Sequence, residues 1–361
     1  MSKDRAIDLR RGWTTGACAA AAARAAFVAL SEGEFPDPIA ISLPGGQRPV
    51  FVLARHMLTG DTAEAAIAKD AGDDPDVTHG ALVVVRVRCL EPGDGIRFLA
   101  GEGVGTVTRE GLVLAVGEPA INPAPRQMIT AQILEVAAEY GVSADVEVEV
   151  SIPGGELLAE RTLNGRLGIV GGLSILGTTG VVIPFSCSAW IHSIHRSVDV
   201  ARAAGLAHLA ASTGSVSERA VQRLYTLPEE ALIDMGDFAG GTLKYVRRHP
   251  VDRLTIAGGF AKLCKLGSGL LDLHSKRSSV DLDWLSCQVS AGGGSDGFAT
   301  AVRDAKTAGR ALQLSEEAEF PIADLVARQA RNIALGQVAR ETEVEVLIFD
   351  RVGKLVGRSD G

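Results

Sequence analysis

Aromatic side chains are scarce in this sequence. Phe, Tyr and Trp together make 4% of it, and acidic residues outnumber basic ones by 44 to 36, for a net charge of −8. Proteins that grip nucleic acid use a basic face and stacking rings, so that class is excluded. The five cysteines, at 18, 89, 187, 264 and 287, include no C-x-x-C pair. Their scatter argues against a disulfide framework or a zinc site and for reduced thiols in a cytoplasm. The seven histidines include no H-E-x-x-H. His192 and His195 stand one helical turn apart with Cys187 nearby, but no fourth ligand follows, so no protein-bound metal is expected. No apolar run free of charges and glycines reaches membrane-spanning length. Arg10-Arg11 ahead of an apolar tract imitates an export signal, but Arg24 interrupts the tract and no small-residue cleavage site closes it. The expectation is a cytoplasmic globular protein of about two domains, with no membrane and no nucleic-acid partner.

What the chain has in excess is glycine, 42 residues gathered in turns. Such clustering suits tight hairpins and backbone brought close to a ligand. Near the start, "RRGWTTGACAAAAARAAFVAL" (10–30) reads as a helix capped by Thr14 or Thr15 and propagated by Ala. Amides of such a first turn attract a carboxylate or phosphate, with Arg10 and Arg11 alongside; a capped helix and nothing more is the plain alternative. "PIAISLPGGQRPVFVL" (38–53) reads strand, turn, strand, and a Pro-Gly-Gly returns at 153–155 after a β-branched run, which suggests an internal duplication or convergent hairpin chemistry. "ALVVVRVRCL" (81–90) is a strand with Arg86 and Arg88 on one face. Residues 125–141 have helical period.

The rhythm then changes. "LAHLAAST" (206–213), "ALIDMGDF" (231–238) and "RLTIAGGF" (253–260) read as strands, each followed by a helix, the last helix running on through "AKLCKLGSGLLDLHS". Alternation of this kind implies parallel strands. The fold expected is therefore a mixed α+β N-terminal half with β-hairpins, residues 1–195, and a Rossmann-like βαβαβ C-terminal domain, residues 196–361. Ligands of open α/β sheets bind at the carboxyl ends of strands, which here end in Thr213-Gly214, in Asp234 and Asp237, and in Gly258-Gly259; tight βα turns explain any one of these equally well.

"GIVGGLSILGTTG" (168–180) mimics a phosphate-binding loop in Gly172-x4-Gly177-Thr178-Thr179, but Thr178 stands where the lysine belongs, so an ATPase is not expected. A nest of amides for an anion remains, with a structural turn as its rival. "KDAGDDPDVTHG" (69–80) lacks the spacing of a calcium loop and reads as a solvated acidic loop or a cation holder. Asn122 and Arg126 are candidate polar contacts in "GEPAINPAPRQM" (117–128), though Asn-Pro also simply forms turns. Lys265, His274, Lys276 and Arg277 gather near a helix end, where basic residues match the dipole.

Taken in order, "RRGWTTGACAAAAA", "DAGDDPDVTHG", "GEGVGTVT", "GEPAINPAPRQMI", "GGLSILGTTG" with "PFS", and "AKLCKLGSGLLDLHS" resemble the CbiD family of cobalt-precorrin-5B C1-methyltransferases, over residues 10 to about 280. Each motif alone is weak; the ordered set is specific. Two stretches depart from the family pattern. Cys187-Ser188 stand where acidic residues are often found, and 259–260 lack the His and Thr often seen. No role is carried over to those side chains, and no catalytic side chain is carried over at all. The resemblance implies S-adenosylmethionine as methyl donor and a cobalt-corrinoid precursor as acceptor, the cobalt belonging to the substrate. On that basis Arg10, Arg11, Thr14, Thr15, Arg86, Arg88, Asn122 and Arg126 are expected to meet substrate carboxylates. Gly171, Gly172, Gly177, Thr178, Thr179, Thr213, Gly214, Asp234, Asp237, Gly258 and Gly259 are expected to line the cofactor. A homo-oligomer stays open. So do two other classes, a nucleotide- or phosphosugar-binding enzyme and a non-catalytic tetrapyrrole binder.

Overall fold

The structure, a computed structural model, describes residues 9–275 and 278–360. Lys276 and Arg277 lie outside the described residues. The chain divides into two compact units, Met1–Ser186 and Cys187–Gly361. Both mix helices with sheets, and no described helix is long and apolar enough to cross a membrane.

In the first unit a short strand β1 (Gly12–Trp13) leads into α1 (Thr15–Glu32). The hairpin pair β2 (Ile39–Ala40) and β3 (Val50–Phe51) follows, with its turn closed by the Gly46 amide on the Leu43 carbonyl. Then come β4 (Arg55–Thr59), β5 (Thr62–Ala68), β6 (Leu82–Cys89), β7 (Ile96–Ala100), β8 (Thr106–Val107), α2 (Pro123–Tyr140), β9 (Val146–Ser151), α3 (Gly155–Ala159), β10 (Ile169–Val170) and β11 (Val181–Val182). The main sheet runs β4-β5-β6-β9-β7, antiparallel except for the parallel pair of β7 with β9. Alternation decides its faces. Val83, Val85, Val87, Val146, Val148 and Val150 bury in one core with α1 and α2, while Arg86, Arg88, Glu147 and Glu149 point the other way. α1 packs between this sheet and α2. Arg24, the one charge set among its alanines, reaches Glu135 on α2 at 2.8 Å. The second Pro-Gly-Gly does not return as a hairpin: Gly155 opens α3 instead, so the duplication is not realised.

In the second unit α4 (Cys187–Ala203), β12 (His208–Ser212), α5 (Ser215–Tyr225), β13 (Leu232–Asp234), α6 (Ala239–Arg248), β14 (Arg253–Gly259) and α7 (Phe260–Gly267) alternate. Four further helices, α8 (Leu282–Ala291), α9 (Asp296–Arg303), α10 (Ala308–Glu317) and α11 (Ile322–Leu335), precede β15 (Glu343–Phe349) and β16 (Leu355–Arg358). The sheet order is β13-β12-β14-β15-β16, parallel through β15 and closed by an antiparallel edge. Helices cover both faces. α5 packs on Ala210, Leu232, Ala257 and Leu347, and α4, α6, α7 and α11 pack on Leu209, Ala211, Ile256 and Val346. The long helix expected through residue 275 stops at Gly267, because Gly269 turns left-handed at φ +94° and the chain doubles back.

Candidate functional site

Three of the motifs converge in the first unit. Thr14, not Thr15, caps α1: its Oγ1 accepts the Ala17 amide at 3.2 Å, and both threonines are buried. The next amide is taken too, since Gly16 donates to the Leu176 carbonyl at 2.9 Å, while Thr14 donates its own to Gly180. The helix start is thus plugged by the glycine stretch 176–180, which corrects the expectation of amides open to an anion. That stretch then forms β11, antiparallel to β1 with Gly12 opposite Val182. A phosphate loop would run directly into a helix; here it runs into a strand.

The acidic loop is a fastener. Asp70 takes both guanidinium nitrogens of Arg10, one at 2.8 Å. Asp73 accepts the Arg10 amide at 2.6 Å and returns its own amide to the Arg10 carbonyl. Asp74 accepts the amide of Phe185 at 2.8 Å. Asp76 holds the buried ammonium of Lys69. Hydrogen bonds from Arg10 and then the Gly72 amide pull Asp70 down to about 2. Burial pushes Asp76 up, but Lys69 and Thr78 outweigh it and leave its carboxyl below the ordinary value. The cations this loop holds are therefore the chain's own. Among the described residues no three His, Cys, Asp or Glu side chains converge to hold a metal ion.

The other candidates of this unit divide. Arg11 is exposed and has no ion pair among the described residues. Arg86 joins Glu64 and Glu149, and Arg88 joins Glu147, in a ladder across the sheet's outer face. Arg126 is absorbed by the Ile121 and Pro119 carbonyls and by Glu118, with its guanidinium 5.5 Å from the Phe98 ring centroid. Asn122 donates its side-chain amide to Ile175 at 3.2 Å. These two clamp a knot in which 101–108, 117–122 and 169–175 interlace through β8, β10 and the bridges Val104–Leu173 and Ile121–Ile175. Gly172 belongs to this knot, lying against Gly103, with its carbonyl held by Asn164. Gly171, Thr178 and Thr179 are exposed.

The second unit brings the remaining candidates to one edge of its sheet. Thr213 and Gly214 follow β12, Asp234 ends β13 with Asp237 beyond it, and Gly258 with Gly259 end β14. β12 lies between the other two strands. The Thr213 amide donates to Ala257, and a Cβ at Gly258 would stand 2.9 Å from Thr213 Oγ1, so the first and third strand ends touch. At Gly259 a Cβ would find open space among the described residues. Asp237 pairs with Lys262, whose ammonium is lowered mainly by burial and then by Lys265. Trp190 donates its indole N–H to the Asp234 carbonyl at 3.1 Å. Buried Lys265 holds the doubled-back segment through the Leu273 carbonyl at 3.0 Å. Sequence reasoning missed Ser212, fully buried at the end of β12 with its hydroxyl unpaired among the described residues. It also missed Lys262 and Trp190, whose signal was only their proximity to glycine-ended strands.

Comparison with known proteins follows this geometry. The family model described as CbiD matches residues 2–184, and the model of the CbiD C-terminal domain matches residues 272–360. The chain is 59% identical over 354 residues to the cobalt-precorrin-5B C(1)-methyltransferase of Bradyrhizobium sp. (strain BTAi1), covering 98% of this chain and 94% of that one. It is 56% identical over 350 residues to the enzyme of the same name from Paramagnetospirillum magneticum, covering 97% of this chain and 98% of the relative. A crystal structure described as the cobalamin biosynthesis protein CbiD of Archaeoglobus fulgidus is 27% identical, covers 74% of this chain and 83% of its own, and superposes with a TM-score of 0.41.

Proposed function

This chain belongs to the CbiD family, and from that premise we propose that it methylates carbon 1 of cobalt-precorrin-5B. The observation that carries the reading is identity of 59% over 98% of the chain to a relative bearing that name. S-adenosylmethionine is the donor in this reading: it supplies a sulfonium-bound methyl group that passes to the ring carbon as the carbon–sulfur bond breaks. Such a displacement needs alignment at contact distance more than acid–base groups, and proximity alone contributes about 7–11 kcal/mol. The protein's task is then to hold two partners and exclude water.

We assign the donor to the second unit. Residues there fit it: an unpaired buried hydroxyl on Ser212, open space at Gly259 and close backbone packing at Gly258 mark the strand ends. Asp234 closes the second strand, as the ribose-binding acid does in Rossmann-like sheets. Asp237 is engaged by Lys262 and serves position rather than contact. The corrinoid is assigned to the first unit, where Arg11 offers an exposed guanidinium to its carboxylate arms.

The test is anaerobic incubation with the cobalt-precorrin and methyl-labelled S-adenosylmethionine. One labelled methyl on the macrocycle is expected. Corrinoid binding without transfer would replace the reading with a tetrapyrrole carrier, and tight ATP binding with no response to S-adenosylmethionine would replace it with a nucleotide enzyme.

A further inference from the structure

Phe185 has a backbone that its side chain does not favour. Its φ is +55°, in the left-handed region that glycine occupies without cost and a bulky residue enters only under constraint. The constraint is visible: the Asp74 carboxylate, 111 residues away in sequence, accepts the Phe185 amide at 2.8 Å. Burial of the ring does not offset this strain, because Phe185 is 66% exposed. The fold therefore spends an acidic anchor and a strained backbone to stand an aromatic ring in water. Two more apolar side chains on the same strap, Leu176 and Ile183, are also more than half exposed. The β1–β11 register sets Gly12 opposite Val182, and its continuation by one step runs Arg11 towards Ile183. An apolar strap edged by an uncommitted guanidinium suits a ligand that is flat and apolar across its face and anionic at its rim.

We propose that Phe185 is a positioning residue for the corrinoid: its ring lies against the macrocycle, with Asp74 locking the backbone that presents it. The inference rests on the function proposed above. The experiment uses cob(II)yrinic acid under anaerobic conditions, a cobalt corrinoid with free carboxylate arms and one open macrocycle face, and follows its visible absorption on titration with the full chain. S-adenosylhomocysteine affinity, melting temperature and sedimentation are measured in parallel. Wild type is expected to bind. Phe185→Gly is expected to bind about tenfold more weakly or worse, with unchanged S-adenosylhomocysteine affinity and an equal or higher melting temperature, because the strain is gone. Phe185→Tyr is expected to restore most of the affinity, and Asp74→Ala to weaken it in the same direction as Phe185→Gly. Corrinoid affinity within twofold of wild type in Phe185→Gly overturns the proposal and leaves the function reading standing. So does a loss of self-association in that variant with corrinoid binding intact, which would give the ring to a second copy of the chain. If wild type takes no corrinoid here but transfers labelled methyl to the cobalt-precorrin, this proposal falls and the function reading stands; if it does neither, both fall.

Discussion

Gly177 lies directly on Thr14: a Cβ built on that glycine would stand 2.2 Å from the threonine hydroxyl and 2.3 Å from its Cβ. The glycine also sits at φ +125°. Its lack of a side chain is thus explained by the chain's own cap, whereas an amide nest for a ligand would leave a folded, non-binding variant. Gly177→Val is expected to lose at least about 2 kcal/mol of stability, since neither the buried Thr14 nor the backbone has room to yield. Denaturant unfolding of the variant checks this.

Thr14 and Thr15 separate in the same way. Thr14→Ala removes the cap of α1 and is expected to cost about 1 kcal/mol, Thr14→Ser to cost less, and Thr15→Ala to show no capping loss. The three unfolding free energies, taken side by side, decide it.

The acidic fastener has a pH signature. Asp70 in the folded chain titrates at about 2, below its ordinary 3.8. A carboxylate lowered by folding stabilises above its unfolded value, so the contribution is intact above about pH 4 and is lost as pH falls towards 2. Both partners reach water, which keeps the amount small. Unfolding midpoints between pH 5 and 2.5 are expected to fall less steeply for Asp70→Asn than for wild type.

Gly259 offers the opposite case to Gly177. Among the described residues nothing but its chain neighbours lies within 4 Å of a Cβ there, and its φ of −75° suits any residue. Gly259→Leu is expected to fold within about 0.5 kcal/mol of wild type. If the donor sits at these strand ends, the same change weakens S-adenosylhomocysteine at least about tenfold by calorimetry and leaves the corrinoid alone. Unchanged affinity would move the donor elsewhere.

Among the arginines, Arg11→Ala is expected to weaken the corrinoid roughly tenfold or more, as a charge-assisted hydrogen bond is worth about 1.5–3 kcal/mol. Arg86→Ala is expected to change it little, because Arg86 is already held by Glu64 and Glu149. A larger loss for Arg86 than for Arg11 would put the substrate on the sheet's outer face.

Much of the second unit was legible because β12, β13 and β14 are short apolar runs, each ending in turn residues and followed by a helical period, and that pattern has few solutions. The end of α7 was not, since apolar spacing continues past Gly269 and only its left-handed turn stops the helix. "EVEVLIF" at 343–349 carried a strand signal that went unread, and with it the fourth parallel strand. In the candidate site, composition could not decide what the glycines face. A backbone pressed against a ligand and one pressed against Thr14 or Gly103 both exclude a Cβ, and only spatial neighbours separate them. The acidic loop was ambiguous for the same reason, because the cations it holds are distant in sequence.

α1 is buried on every side, with its alanines from Ala17 to Ala26 at zero exposure. A helix lying on a surface tolerates change on one side and refuses it on the other, so a record of accepted substitutions along it rises and falls every three to four positions. Here that rhythm vanishes. Larger residues would push against the sheet or against α2 whichever way they pointed. Saturation mutagenesis of the tract should therefore return a flat profile of refusal broken only at Arg24, the profile of a spacer whose thickness, one methyl group all round, sets the distance between the layers it separates.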